Sequence, residues 1–166
     1  MAVDILVATQ ERLRSDPATA RATPSVTATL TNGHARLSAG PFNWEADLPA
    51  AIGGGNLAPS PTAYLLGALA GCGVAFLHDT LAPQFGVRID AITAVASCAS
   101  DARGLLGMDD ATPELVDIAI DIEVTSPDPA SKTGPMLEAW RARCPIFLAL
   151  LRPNDVSLTT RVAAST

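Results

Sequence analysis

Basic residues are scarce in this chain. Eleven Lys and Arg stand against 17 Asp and Glu, for a net charge of −6, which argues against wrapping nucleic acid or lying on an anionic membrane. Histidine is nearly absent too: His34 and His78 are the only two, neither lies near a cysteine in sequence, and no CxxC, HxxxH or HxE spacing occurs. No metal site is expected, and no cofactor either, since GxGxxG and the P-loop pattern GxxxxGK are missing along with the GxSxG nucleophile elbow. Three cysteines in 166 residues are too few for a disulfide framework, and their odd number leaves a thiol unpaired, so a reducing cytoplasm is the expected setting. Residues 1–14 place Asp4 where a secretory leader would carry a basic residue, and their apolar run stops at Ala8. The one long uncharged run, Ala58 to Leu77, contains Pro59, Pro61, Gly67, Gly71 and Gly73 and lacks basic flanks. It reads as a buried core helix rather than a membrane span.

What is present is enough for a folded domain. Apolar residues make up 48% of the chain and charged ones 17%, a balance that excludes disorder. Leu6, Gln10 and Leu13 are spaced for a short helix within Val3–Arg14, and this N-terminal helical segment, residues 1–24, is set apart from a single domain over 25–166. Asn32-Gly33 supplies the two positive φ angles of a type I′ turn between strands Ser25–Thr31 and His34–Ser38. Phe42, Trp44, Ala46 and Leu48 alternate with polar residues as a third strand. Ser60-Pro61 starts a helix, with the Ser hydroxyl as cap and Pro at the first helical position, expected to run to about Leu81, before Pro83. Strands follow over Gly86–Ser100 and Leu115–Thr125, then a helix over Met136–Arg143 and a last alternating strand over Val156, Leu158, Thr160 and Val162. The order predicts an α+β fold with antiparallel sheets around a long buried central helix. About six strands from one chain cover such a helix poorly, and a second subunit would close the uncovered face.

The cysteines carry what chemistry there is. Cys72 sits mid-helix between Gly71 and Gly73, and each glycine costs roughly 1 kcal/mol against Ala, which points to close approach by another backbone or a ligand. A small buried hydrophobe with a neighbouring element packed on its glycines is the plainer alternative. Cys144 precedes Pro145 and can act as N-cap to a helical turn through Ile146–Leu151, where a thiolate is stabilised by free N–H groups, with Arg141 and Arg143 nearby. Cys98 lies within a strand and reads as a packing residue. His78 reads as a capping or surface residue near the helix end, and Gly53-Gly54-Gly55 as a flexible turn.

Asp47-Leu48-Pro49, Gly53 to Gly55, Pro59-Ser60-Pro61, the helix stretch Ala68-Leu69-Ala70-Gly71-Cys72 and the later Cys144-Pro145-Ile146 together resemble the OsmC/Ohr family of thiol-dependent hydroperoxide reductases, over about Thr27 to Val162. The resemblance implies an intertwined α+β homodimer with active sites at the subunit interface. It implies Cys72 as the peroxidatic and Cys144 as the resolving cysteine, an organic hydroperoxide as substrate, and an external dithiol as reductant. The family also uses a Glu near the start of the central helix and an Arg in the N-terminal strand region. Those positions fall here on Thr62 or Ala63 and near Thr31, and Arg36 is the closest arginine. The expected function is therefore a peroxidase built on Cys72, Cys144 and Arg36. The alternative is a divergent redox-sensing or ligand-binding protein of the same family without efficient turnover.

Overall fold

The computed structural model describes residues 2–152 and 154–164. Helix α1 (Ala2–Ser15) leads into a three-stranded antiparallel sheet of β1 (Thr27–Thr31), β2 (His34–Ala39) and β3 (Phe42–Ala46), in the order β1-β2-β3. The turn between β1 and β2 places Asn32 at φ 53° and Gly33 at φ 88°, as the dipeptide predicts. Helix α2 (Pro61–Ala75) starts under the Ser60 cap, whose hydroxyl accepts the Ala63 N–H. A second antiparallel pair, β4 (Ala91–Ala99) and β5 (Val116–Thr125), is joined through the short turn of α4 (Ala102–Leu105). Helices α5 (Ala130–Arg143) and α6 (Pro145–Leu151) follow. The fold is α+β with antiparallel sheets, as the element order implies.

Helix α2 rests on the second sheet at Gly73. A Cβ there would meet Ala94, Ile122 and Ile120 at 3.2–3.4 Å, tighter than ordinary contact, whereas an added Cβ at Gly71 or Gly67 would meet no atom within 4 Å. The core forms where the far half of this helix meets α5: Leu77, Leu81 and Ala82 pack with Met136, Ala139, Trp140 and Cys144. The helix is long and apolar enough to cross a membrane by length and composition, but it is packed on protein along this side. Its opposite side is open. Ala63, Gly67, Ala68, Gly71, Val74 and Ala75 are all exposed in the single chain, so one chain covers the uncharged helix only in part.

Four sequence expectations are corrected. The central helix does not stop before Pro83 but continues to Phe85: a π-helical stretch over Phe76–Leu81 joins α2 to α3 (Ala82–Phe85). Widening the turn lets Pro83 enter as an early residue of a new α-helical turn, where its missing N–H costs little, and Gly86 at φ 60° ends it. The next strand accordingly begins at Ala91 rather than Gly86. Helix α5 begins at Ala130, not Met136, and carries Pro135 inside it, its first turn held by the Lys132 to Asp128 ion pair at 3.0 Å. The alternating segment over Val156–Val162 is not a strand. Val156, Leu158 and Val162 are 88%, 85% and 101% exposed, because alternation makes a strand only where a sheet edge is brought alongside.

The loop between β3 and α2 is organised by one carboxylate. Buried Asp47 accepts the N–H groups of Leu48 at 2.8 Å and of Gly55 and Leu57 at 3.0 Å. The Leu57 N–H foremost, with those of Leu48 and Gly55, holds this carboxyl below its ordinary value against the opposing cost of burial. Gly54 lies so close to Leu48 that an added Cβ would fall within 1.9 Å of its carbonyl oxygen. Gly54 and Gly55 thus pack on the Asp47–Leu48 and Leu57 segments, while Gly53 at φ 96° has open space around it. A depressed folded pKa contributes stability above the unfolded value of about 3.9, lost as pH falls through the lower folded value. Asp47→Ala should therefore melt earlier than the wild-type protein at pH 7, with the gap narrowing below about pH 4. Thermal melts of both proteins across pH 3–7 check this, and an equal gap at both ends would contradict it.

Candidate active site

The structure brings Cys72 and Cys144 together from 72 residues apart. Their sulfurs are 2.9 Å apart, both cysteines being free thiols. Cys72 is half-buried, near the end of α2, and Cys144 is fully buried. Cys144 ends α5 and caps α6: its φ of −65° and ψ of 113° leave the helical region, as the following Pro requires, and its Sγ accepts the Phe147 N–H at 3.4 Å. The Ile146 amide favours charge on the Cys72 sulfur.

The electrostatics of the pair pull in opposite directions. Burial pushes the Cys72 thiol up, the hydrogen bond and charge of the Cys144 sulfur add to the rise, and the Ile146 N–H opposes them, leaving Cys72 at about 12. Charge on one sulfur disfavours charge on another in contact with it, which adds to the rise at Cys72. Access distinguishes the two thiols: a reagent from solvent reaches half-buried Cys72 before fully buried Cys144.

Arg36 is not brought to this pair within the chain. It lies exposed on β2, opposite Thr29 and Glu45 in the sheet register, and is not among the groups acting on the Cys72 thiol. Arg143 instead donates to Gln84 Oε1 at 3.3 Å. Thr62 stands ten residues before Cys72 in the helix, about 15 Å away along its axis. Near that end, a cleft of about 440 Å³ beneath the β1–β2 hairpin is lined by Leu30, His34, Leu48, Gly54 and Pro61 among others. The ring nitrogens of half-buried His34 are buried there and both lack a hydrogen bond, Glu45 Oε1 at 3.5 Å being too distant for one. Cys98 is half-buried on β4, where the register with β5 shifts between Ser97 and Ala99. His78 is exposed, its Nδ1 2.7 Å from Asp79.

Sequence reasoning missed Trp140. Its indole Nε1–H donates to the Cys72 carbonyl at 3.1 Å, and its ring lies against Phe147, centroids 5.4 Å apart. The available signal was its spacing, one helical turn before Cys144. Leu69, Ile118, Ile120, Phe147 and Leu150 also line an apolar cleft of about 110 Å³ between α2, β5 and α6, the elements that flank the pair. Among the described residues no three His, Cys, Asp or Glu side chains converge as a metal site would need.

The sequence profile of the OsmC-like protein family matches residues 53–159. No curated protein matches the chain. Among solved structures, an OsmC-like protein from Mycoplasma pneumoniae is similar at 20% identity and TM-score 0.65, covering 78% of this chain and 88% of its own. An organic hydroperoxide resistance protein from Elizabethkingia anophelis is similar at 15% identity and TM-score 0.57, over 78% of this chain and 88% of its own. An OsmC-like protein of unknown function from Vibrio cholerae is 10% identical with TM-score 0.55, covering 78% of this chain and 94% of its own. At these identities the likeness is one of fold.

Replacing the neighbouring sulfur isolates its share of the Cys72 shift. Cys144→Ser removes two of the causes that raise the thiol and leaves burial, the largest, in place. The Cys72 pKa should therefore fall from that of the wild-type protein yet remain above the ordinary thiol value of about 8.5. Alkylation rates followed against pH measure this. A midpoint unchanged by the substitution would show that the second sulfur does not act on the first.

Proposed function

The chain belongs to the OsmC-like protein family, and on that premise we propose that it reduces organic hydroperoxides through Cys72 and Cys144 in a homodimer. The observation that carries this reading is the 2.9 Å contact between the two sulfurs. The Cys72 thiolate attacks the peroxide oxygen distal to the organic group, the O–O bond breaks, and the alcohol leaves after taking up a proton. Cys72 is then a sulfenic acid. Cys144 attacks its sulfur, water leaves, and a Cys72–Cys144 disulfide forms; an external dithiol restores both thiols by exchange. Access supports the division of roles, since the peroxide meets the half-buried sulfur first and the buried one resolves.

A homodimer is supported by what the single chain leaves uncovered: the small-residue face of α2, the free edge of β1, and the extended apolar alternation of Val156, Leu158 and Val162. A dimer would also give Arg36 a role. It is not among the groups acting on Cys72 of its own chain, and in a dimer its charge would reach the Cys72 of the second copy.

One observation favours a second reading, a family member that responds to oxidants without efficient turnover. Burial and the Cys144 sulfur push Cys72 up to about 12, and among the described residues the groups acting on it include no cation.

Three measurements test the proposal. Stoichiometric organic hydroperoxide should link Cys72 to Cys144 and leave Cys98 free, with Cys144→Ser stopping at a trappable sulfenic acid. With a dithiol present the wild-type protein should consume many equivalents of peroxide and Cys72→Ser none. A Cys98 disulfide as main product would contradict the assignment, and a single turnover would select the second reading. Gly67→Glu places a charge where the single chain has open space. It should keep native circular dichroism but convert dimer to monomer by light scattering, and a monomeric wild-type protein at micromolar concentration would refute the assembly.

A further inference from the structure

Trp140 is buried at 5% exposure, and a buried indole N–H needs an acceptor. The one it finds is unusual in position. The Cys72 carbonyl already accepts the Phe76 N–H that closes the last α-helical turn before the π-helical stretch, and its second lone pair takes the Trp140 Nε1–H at 3.1 Å. The backbone of Trp140 meanwhile holds the other cysteine: its carbonyl accepts the Cys144 N–H at 2.8 Å. Its ring packs on Phe147 at an interplanar angle of 44°, and the Phe147 N–H is the donor to the Cys144 sulfur. One residue therefore fixes the main chain at both cysteines and braces the amide that orients one of their sulfurs.

We propose that Trp140 is a positioning residue that governs the fate of oxidised Cys72 by holding its main chain in register with Cys144. The inference rests on the thiol-pair reading above and concerns the branch after the first oxidation. The Cys72 sulfenic acid has two fates. Attack by the Cys144 thiol forms the S–S bond and releases water; reaction with a second hydroperoxide transfers one oxygen, giving a sulfinic acid and one alcohol. Closing the disulfide requires the sulfurs to move from contact to about 2.05 Å with their backbones held. A Cys72 carbonyl released from the indole lets the helix turn shift away, slows closure, and leaves more sulfenic acid for the second peroxide.

Trp140→Phe removes the donor while keeping a ring to pack on Phe147. A second variant carrying β-(3-benzothienyl)alanine at position 140 replaces the N–H by sulfur at nearly constant shape, so it keeps the test valid if the Phe variant repacks. Each protein is treated with a fixed excess of organic hydroperoxide without reductant, and intact-mass and peptide analysis give the ratio of Cys72 sulfinic acid to Cys72–Cys144 disulfide. Loss of one hydrogen bond should raise that ratio about fivefold to tenfold in both variants. A partition ratio is insensitive to the amount of folded protein, so a merely structural role would leave it unmoved. If the wild-type protein forms the disulfide and both variants show its ratio, the role of Trp140 is refuted and the thiol-pair reading stands. If the wild-type protein forms no Cys72–Cys144 disulfide, both fall together.

Discussion

A helix with no charged side chain from Pro61 to Leu77 has to be covered, and the rest of the chain is arranged around doing so. Gly73 admits β4 and β5 to one side more closely than a side chain at that position would. Leu77 and Leu81 meet Met136 and Trp140 of α5 on another. Apolar area removed from water contributes about 25 cal/mol per Å², so these contacts fix which way the helix faces. Cys72 follows from that orientation. It lies one residue from the sheet contact and one from the open face at Gly71, and its thiol is half-buried because the helix is half-covered.

The pair of thiols is a balance of opposed effects rather than a simple activation. Desolvation and a second sulfur in contact both disfavour charge on Cys72, and a single amide favours it. At 2.9 Å, charge on the one sulfur disfavours charge on the other. That restriction suits a reaction in which one sulfur attacks and the other follows. It also makes the attacking form scarce unless a cation arrives from outside the chain, which ties the chemistry of the pair to what covers the open face.

Local chemistry was legible in the sequence wherever a short motif sufficed. Asn32-Gly33, Ser60-Pro61, Cys144-Pro145 and the alternation from Val116 to Val124 each produced the element they predict. Features set by partners elsewhere were not legible. Pro83 reads as a stop, and nothing local announces the π-helical stretch that lets it pass. The helix expected from Met136 begins six residues earlier, at Ala130, and carries Pro135 inside it, while Met136, Ala139 and Trp140 pack in the core. Val156 to Val162 carries a strand pattern with no edge of its own chain to join. Of the site, both cysteines stood out by their neighbours, while Trp140 and Ile146 act through an indole and an amide whose targets lie about seventy residues away, a relation no spacing rule contains.

The Cys144-Pro145-Ile146-Phe147 run shows how much a proline can arrange. Proline at the first helical position has no N–H, so the first amides this helix offers are those of Ile146 and Phe147. The capping side chain takes the second of them: the Cys144 sulfur accepts from Phe147 as a serine or aspartate cap would. The first takes no part in the cap and favours charge on the Cys72 sulfur. A residue with an N–H at position 145 would add a donor at this end of the helix; proline removes it, and with the preceding residue forced out of the α region the Cys144 sulfur turns back over its own helix. The order Cys-Pro therefore sets both where the buried sulfur points and which amide remains for its partner, and the contact between the two thiols follows once Trp140 holds α5 against α2.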